Sequence, residues 1–180
     1  PERVLIILDE AYYEFAQNSP DYPDSMSYRY DNVITLRTFS KAYGLAGIRI
    51  GYGFAHESLI NNLLKVKVPF EPSLSAQAAG MAAMDDNEFL KNTLGLNKNG
   101  MTFLKKEFDG LGIEQVPSAA NFITTIWDSE KTASKLTRDL LEKGVIVRKL
   151  RGFGWPNCIR ISVGLESENQ KCIESLKEIL

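Results

Sequence analysis

Residues 4–8 read VLIIL, an unbroken apolar run closed by Asp9 and Glu10. A short apolar run of β-favouring residues predicts a strand covered on both faces of a parallel sheet. Residues 17–25, QNSPDYPDS, are rich in turn formers, and a short helix is expected near 24–30. A second strand follows at 32–36 (NVITL) and a third at 48–54 (IRIGYGF). The period then lengthens. Over residues 57–66, Leu59, Ile60, Leu63 and Leu64 fall on one face of a helix. Pro69 and Pro72 break that pattern, and Ser73 is placed to cap an alanine-rich helix over 74–84. A long helix is expected over 87–108, weakened by Gly95 and Gly100 and closed by Gly110 and Gly112.

Beyond residue 112 the pattern alternates again. It predicts strands at 113–116 and 121–127, a helix at 130–143, strands at 145–148 and 158–163, and a helix at 166–179. Ser129 or Asp128 is available as N-cap of the first of these helices, and Gly144 as its C-terminal stop. Strands and helices in this order suggest a small α/β sandwich. The chain is therefore expected to be α/β. Residues 1–90 would be part of a larger, mostly parallel sheet with helices, 91–110 a connecting helix, and 111–180 a small C-terminal α/β domain.

The 180 residues suffice for one sizeable core or two modest ones. Apolar residues at 44% and charged residues at 24% match an ordinary globular chain and argue against disorder. A formal charge of −2 argues against a nucleic-acid partner. No apolar run approaches the length of a membrane span, and no stretch has the make-up of a signal peptide. Cys158 and Cys172 lack metal-ligand spacing and share the chain with a single histidine, His56. They read as reduced thiols of a cytoplasmic protein that holds no metal. The chain opens on Pro1 rather than methionine and enters a strand almost at once, as expected of a piece of a longer protein.

The stretch TFSKAYGLAGIRIGYGFA, residues 38–55, is different in kind. Lys41 alone would pass for a surface lysine. Its neighbours are two hydroxyls, Thr38 and Ser40, and the glycines Gly44 and Gly47, where backbone can approach a ligand closely. Arg49 adds a permanently charged guanidinium suited to a phosphate. Hydroxyls with an arginine make a phosphate site, and an adjacent lysine can form a Schiff base. The two together describe pyridoxal phosphate, whereas a Walker phosphate loop needs a spacing that is absent here. Asp9 stands just past the end of a strand, where ligands gather in α/β sheets. It could hold a protonated ring nitrogen or simply cap a helix. Tyr12 could bond a ring hydroxyl or pack as an aromatic, and Tyr13 and Phe15 suit packing better.

LDEAYYEF followed by TFSKAYGLAGIRIGYGFA resembles the fold-type I pyridoxal-phosphate aminotransferases of class I/II, and among them the histidinol-phosphate aminotransferases. The resemblance implies the C-terminal part of the cofactor-binding large domain followed by the small domain. It implies that Asp9 pairs with the pyridine nitrogen, Tyr12 with the ring oxygen, Lys41 with the cofactor carbonyl, and Thr38, Ser40 and Arg49 with the phosphate. PSAANFI (117–123), GVIVRKL (144–150) and NCIRISVGLESEN (157–169) extend the likeness. There Asn121, Arg148 and Arg160 fall at positions that meet the substrate. Arg148 could equally be a solvated strand-end charge. Arg160 sits within CIRISV, where an unpaired charge is costly. Arg151 in the loop LRGFGWPN has no assigned role, His56 is expected to cap a helix, and Cys158 to lie in the core.

The implied reaction is transfer of an amino group from histidinol phosphate, with glutamate and 2-oxoglutarate as co-substrate pair, in histidine biosynthesis. Lys41 would serve as general base and acid. The partners implied are small-molecule amino donors, 2-oxo acids and a second copy of the chain. Close relatives share this residue set, so aromatic aminotransferase or threonine-phosphate decarboxylase activity stands as an alternative, as does a non-catalytic packing or dimerisation role. The family's amide cradle for the phosphate, its ring-stacking aromatic and its asparagine on the ring oxygen have no counterpart in these residues. The resemblance therefore implies activity for a longer parent protein and, for this stretch alone, an inactive fragment whose partial sheet has open edges and bare apolar faces.

Overall fold

The computed structural model describes residues 3–28 and 30–180. The chain divides into two compact units, Pro1–Leu94 and Gly95–Leu180.

The first unit holds a three-stranded sheet of β1 (Ile6–Asp9), β2 (Val33–Thr38) and β3 (Gly51–Ala55), in that spatial order. β1 runs parallel to β2 with Asp9 beside Leu36, and β3 runs antiparallel with Gly51 beside Thr38. A short helix α1 (Tyr13–Ala16) follows β1, and α2 (Glu57–Val66) and α3 (Leu74–Asp85) follow β3. His56 caps α2 by accepting from the Ser58 amide at 3.3 Å, and Ser73 caps α3 through the Ala76 amide at 3.2 Å. The helix expected near 24–30 is a single 3-10 turn, Ser25–Ser27, capped by Asp24.

Among the described residues β1 has β2 as its one neighbour, and Ile6 and Ile7 are 39% and 59% exposed, the open edge and bare apolar face expected of a partial sheet. One expectation for this unit is corrected. The third strand begins at Gly51 rather than at residue 48, because Ala46–Ile48 forms a 3-10 turn and Arg49 adopts left-handed backbone angles of φ 61° and ψ 56°. Neither conformation can pair in a ladder.

A 24-residue helix, α4 (Asn87–Gly110), begins in the first unit and continues into the second. Its start is capped by Asp86, which accepts from the Phe89 amide at 2.9 Å. In the second unit, β4 (Glu114–Val116), β5 (Phe122–Ile126), β6 (Arg148–Lys149) and β7 (Cys158–Ser162) form an antiparallel sheet in the order β4-β5-β7-β6. The helices α5 (Glu130–Glu142) and α6 (Glu166–Ile179) complete it.

Ala133, Leu136 and Leu140 form one buried stripe of α5, and Cys172, Ile173 and Leu176 one of α6. They meet Leu104 and Phe108 of α4 and Ile123, Ile159 and Ile161 of the sheet in one core. Each such side chain contributes about 1.5–3 kcal/mol on removal from water. Ser129, rather than Asp128, caps α5. Gly144, at φ 78°, ends it in a left-handed turn that returns the Val145 amide to the Leu140 carbonyl at 2.8 Å. The sheet segment expected at 145–148 is reduced to the two residues of β6.

Gly100 has a packing role within α4. It is buried where a Cβ would collide with Val163 Cγ1 and lie 2.9 Å from Asn169 Nδ2. Its lack of a side chain lets the connection from β7 to α6 press against the helix. That connection is itself fixed by Asn169, whose amide both accepts from Gly164 N at 2.9 Å and donates to Gly164 O at 3.0 Å.

Candidate active site

Side chains alternate across a strand, and register partners share a face. With Asp9 beside Leu36, and Leu36 beside Gly53, these positions share one face of the first sheet, together with Thr38 and its partner Gly51. On this face β3 carries hydrogens where β1 and β2 carry side chains. A Cβ on Gly51 would lie 2.8 Å from the Arg37 carbonyl oxygen, and one on Gly53 3.1 Å from Leu36 Cδ2. Backbone is thus left bare next to Leu36 and Thr38, on the face that also carries Asp9. Glu10 and Arg37, one position further along each strand, point to the opposite face.

The loop after β2 is anchored by its apolar residues and leaves its polar ones outside. Phe39 and Ala42 are buried, with the Phe39 ring 5.0 Å from Tyr43 and 5.3 Å from Tyr52. Between them Ser40 is half-buried and Lys41 exposed. The Thr38 hydroxyl accepts from the Ser40 amide at 3.0 Å, and the Gly44 amide closes a turn onto the Lys41 carbonyl at 3.0 Å. Gly44 takes φ 70°, which favours glycine at this turn. Arg49 is one of two non-glycine residues at positive φ among those described. Its Nη1 donates to the Ala46 carbonyl at 2.6 Å. A left-handed non-glycine residue costs of order 1–3 kcal/mol, and such residues cluster at functional sites.

The fold brings Lys41 to the end of β1. Its Nζ lies 5.2 Å from the centre of the Tyr12 ring. Asp9 Oδ1 accepts from the Ala11 amide at 3.1 Å. That contact turns the chain toward Tyr12 and leaves the carboxylate exposed. An amine, a carboxylate, a phenol and two hydroxyls therefore collect at one end of one small sheet, with Arg49 at the far end of the same loop.

Asn121, Arg148 and Arg160 belong to the second unit. Arg148 and Arg160 are register partners on β6 and β7, and Thr124 of β5 lies opposite Arg160. The Arg160 guanidinium lies over the Phe122 ring at 4.9 Å, and Arg148 over Phe153 at 5.9 Å. Arg160 Nε is buried and has no protein partner among the described residues. Asn121 uses its carbonyl to receive the Val163 amide at 2.9 Å. The arrangement can receive an anion.

Reading the sequence alone passes over a buried charged group beneath the first site. Arg37 Nε donates to Glu10 Oε2 at 2.9 Å, and Nη2 lies at the same distance from that oxygen. Its guanidinium carbon stacks 3.3 Å above the Tyr13 ring. Glu14 is 3% exposed, and neither carboxyl oxygen has a hydrogen-bond partner. Burial pushes its carboxyl above the usual range; the Arg37 charge opposes this and that of Glu10 adds to it. The available signal was an acidic residue one place beyond β1 and a basic one near the end of β2, which parallel pairing would bring together.

Among the described residues no cluster of His, Cys, Asp and Glu could hold a metal ion, and no helix is long and apolar enough to cross a membrane.

Residues 1–176 match the family described as aminotransferase class I and II. The chain is 46% identical over its whole length to the histidinol-phosphate aminotransferase of Akkermansia muciniphila, covering 48% of that protein. It is 43% identical to histidinol-phosphate aminotransferase 2 of Carboxydothermus hydrogenoformans, covering 50%. The crystal structure of histidinol-phosphate aminotransferase from Sinorhizobium meliloti, in complex with pyridoxal-5'-phosphate, superposes on all of this chain with a TM-score of 0.88 at 31% identity, over 50% of its own length. The chain spans about half the length of the curated relatives it matches. With a family match running almost from end to end, and the α/β architecture of a solved member beneath it, the chain belongs to the class I and II aminotransferases.

Proposed function

We propose that the protein carrying this chain is a pyridoxal-phosphate-dependent aminotransferase that moves an amino group between histidinol phosphate and the glutamate/2-oxoglutarate pair. The observation that carries this reading is the meeting of Lys41 with Tyr12 at the strand end that bears Asp9. The residues fit the cofactor in kind. There is an exposed primary amine, a sheet face that carries a carboxylate on β1 and bare glycines on β3, and a loop of hydroxyls ending in a guanidinium held at a left-handed backbone position.

The bound cofactor supplies an aldehyde to join amines and a protonated ring that withdraws electrons from the reacting carbon. Asp9 holds the proton on the ring nitrogen by its negative charge. The Tyr12 hydroxyl bonds the ring oxygen. Thr38, Ser40 and Arg49 would hold the phosphate, a group to which a guanidinium is suited. Lys41 Nζ would take the α-proton of the amino donor as base and, once protonated, give it back as acid. Arg148 and Arg160 receive the anionic end of the substrate, and Asn121 contributes a further substrate contact. Both half-reactions need this, since one substrate carries a phosphate and the other carboxylates. Two copies of the protein associate, and the enzyme works in the cytoplasm on small molecules.

The test is a substrate profile of the full-length protein. Histidinol phosphate, phenylalanine and O-phosphothreonine are each offered with 2-oxoglutarate, and glutamate is measured. Histidinol phosphate is expected to give the highest kcat/KM. Preference for phenylalanine, or release of carbon dioxide from O-phosphothreonine, overturns the assignment of substrate.

A further inference from the structure

We infer that Glu10 and Arg37 form a positioning pair that holds the candidate active site in register from beneath, an inference that rests on the cofactor reading above. The pair joins the C-terminal ends of the two parallel strands that carry the proposed cofactor residues. On β1, Asp9 immediately precedes Glu10 and Tyr12 follows it. On β2, Arg37 immediately precedes Thr38 and leads into Ser40 and Lys41. The last rung of the ladder is the Glu10 amide donating to the Leu36 carbonyl at 2.9 Å. Past that rung the ion pair takes over, on the face opposite Asp9 and Thr38.

Its geometry is directional. Arg37 Nε donates to Glu10 Oε2 at 2.9 Å, while Nη2 lies at the same distance and makes no hydrogen bond. The guanidinium is held between the Tyr13 ring at 3.3 Å and the Phe54 ring at 5.5 Å. Both partners are buried, with side chains 9% and 7% exposed. A buried ion pair is a poor source of net stability, because desolvation offsets the attraction and an apolar pair of similar size often serves as well. An apolar contact, however, tolerates sliding, whereas this contact does not. Tyr13 also ties the guanidinium to the helical turn that follows Tyr12, so one side chain fixes β1, the turn after it and β2 together.

The consequence is a specific sensitivity. Loosening the pair should let Asp9 and Tyr12 shift relative to Lys41 while the rest of the fold stays intact. The experiment uses the full-length protein loaded with pyridoxal phosphate, as wild type, Arg37→Met and Glu10→Gln. It measures thermal stability, the cofactor dissociation constant, the pH midpoint of the bound cofactor's visible absorbance, and kcat with KM. Both variants are expected to fold, to move the spectroscopic midpoint, and to lose roughly tenfold to a hundredfold in kcat, the scale of an ångström-sized misplacement, with KM changed far less. Should Arg37→Met not fold, Glu10→Gln, which keeps the size and an oxygen acceptor, decides the matter by the same readouts. Variants whose midpoint and kcat equal those of wild type overturn the inference, whatever their thermal stability. A wild-type protein that takes up no cofactor overturns the functional reading first, and this inference with it.

Discussion

Arg148 and Arg160 stand directly opposite each other on adjacent antiparallel strands. Like charges in that relation repel, at a cost of roughly 0.2–1 kcal/mol. Both guanidinium groups rest over aromatic rings, and neither is among the residues that form a salt bridge with a described carboxylate. An anion bound between them would relieve the repulsion. Thermal melts at constant ionic strength should therefore show inorganic phosphate raising the melting temperature of the wild type. Arg148→Gln should melt at or slightly above the wild type without phosphate and lose most of the phosphate effect.

Lys41 is exposed and its side chain is not needed for the core. Lys41→Ala should leave the fold intact by circular dichroism. In the full-length protein it should lower kcat by at least about a hundredfold, the usual contribution of a positioned acid–base group. Full activity in this variant would remove the lysine from the mechanism.

Glu14 offers a pH test with a definite sign. Its carboxyl is raised above 4.5 chiefly by burial, with Arg37 opposing and Glu10 adding; the neighbouring Tyr43 and Tyr52 hydroxyls are raised by burial first and by Glu14 second. The folded chain thus binds the proton more tightly than the unfolded one. That contribution to stability is fully present below the ordinary glutamate pKa and is lost as pH rises through the folded value. Glu14→Gln should remove this dependence and stabilise the protein near neutral pH by an amount of order 1 kcal/mol. Denaturant melts from about pH 4 to pH 8 should show the variant pulling ahead of wild type as pH rises.

At Gly100 a methyl group has no room. Gly100→Ala would gain helix propensity on an open surface. Here it should instead destabilise the second unit by about 1–3 kcal/mol through overpacking against Val163 and Asn169. Gly95, with nothing within 4 Å of a built Cβ, is the control: Gly95→Ala should be neutral or stabilising in the same denaturant titration.

Cys172 is buried in the core formed by α4, α5 and α6, and its thiol is pushed up to about 11 by desolvation. It should stay unlabelled by iodoacetamide at neutral pH in the folded protein and react once denaturant is added. Rapid labelling under native conditions would mean that this part of the core opens readily.

Much of the architecture could be read from the chain. The helices over 57–66 and 166–179 have the bounds their periodicity predicts, because amphipathic spacing and capping residues are local properties. Ser73, Ser129 and Gly144 act as their residue types suggest. Errors arose where distant residues decide. Gly100, a weak helix former by type, stands in α4 because Val163 and Asn169 leave no room for a side chain there. Arg49 delays the start of the third strand through its backbone angles, which composition does not disclose.

The local order of residues determined which groups are available: an amine among glycines, a carboxylate at a strand end, and arginines within strands. Only the tertiary structure decided which of them meet. Parallel pairing of β1 with β2 places Asp9 and Thr38 on one face and buries Glu10 against Arg37 on the other. Antiparallel pairing of β6 with β7 sets Arg148 against Arg160. The physical reason is that a strand's alternation fixes its two faces by itself, whereas register, which assigns partners to those faces, depends on contacts between residues far apart in the chain.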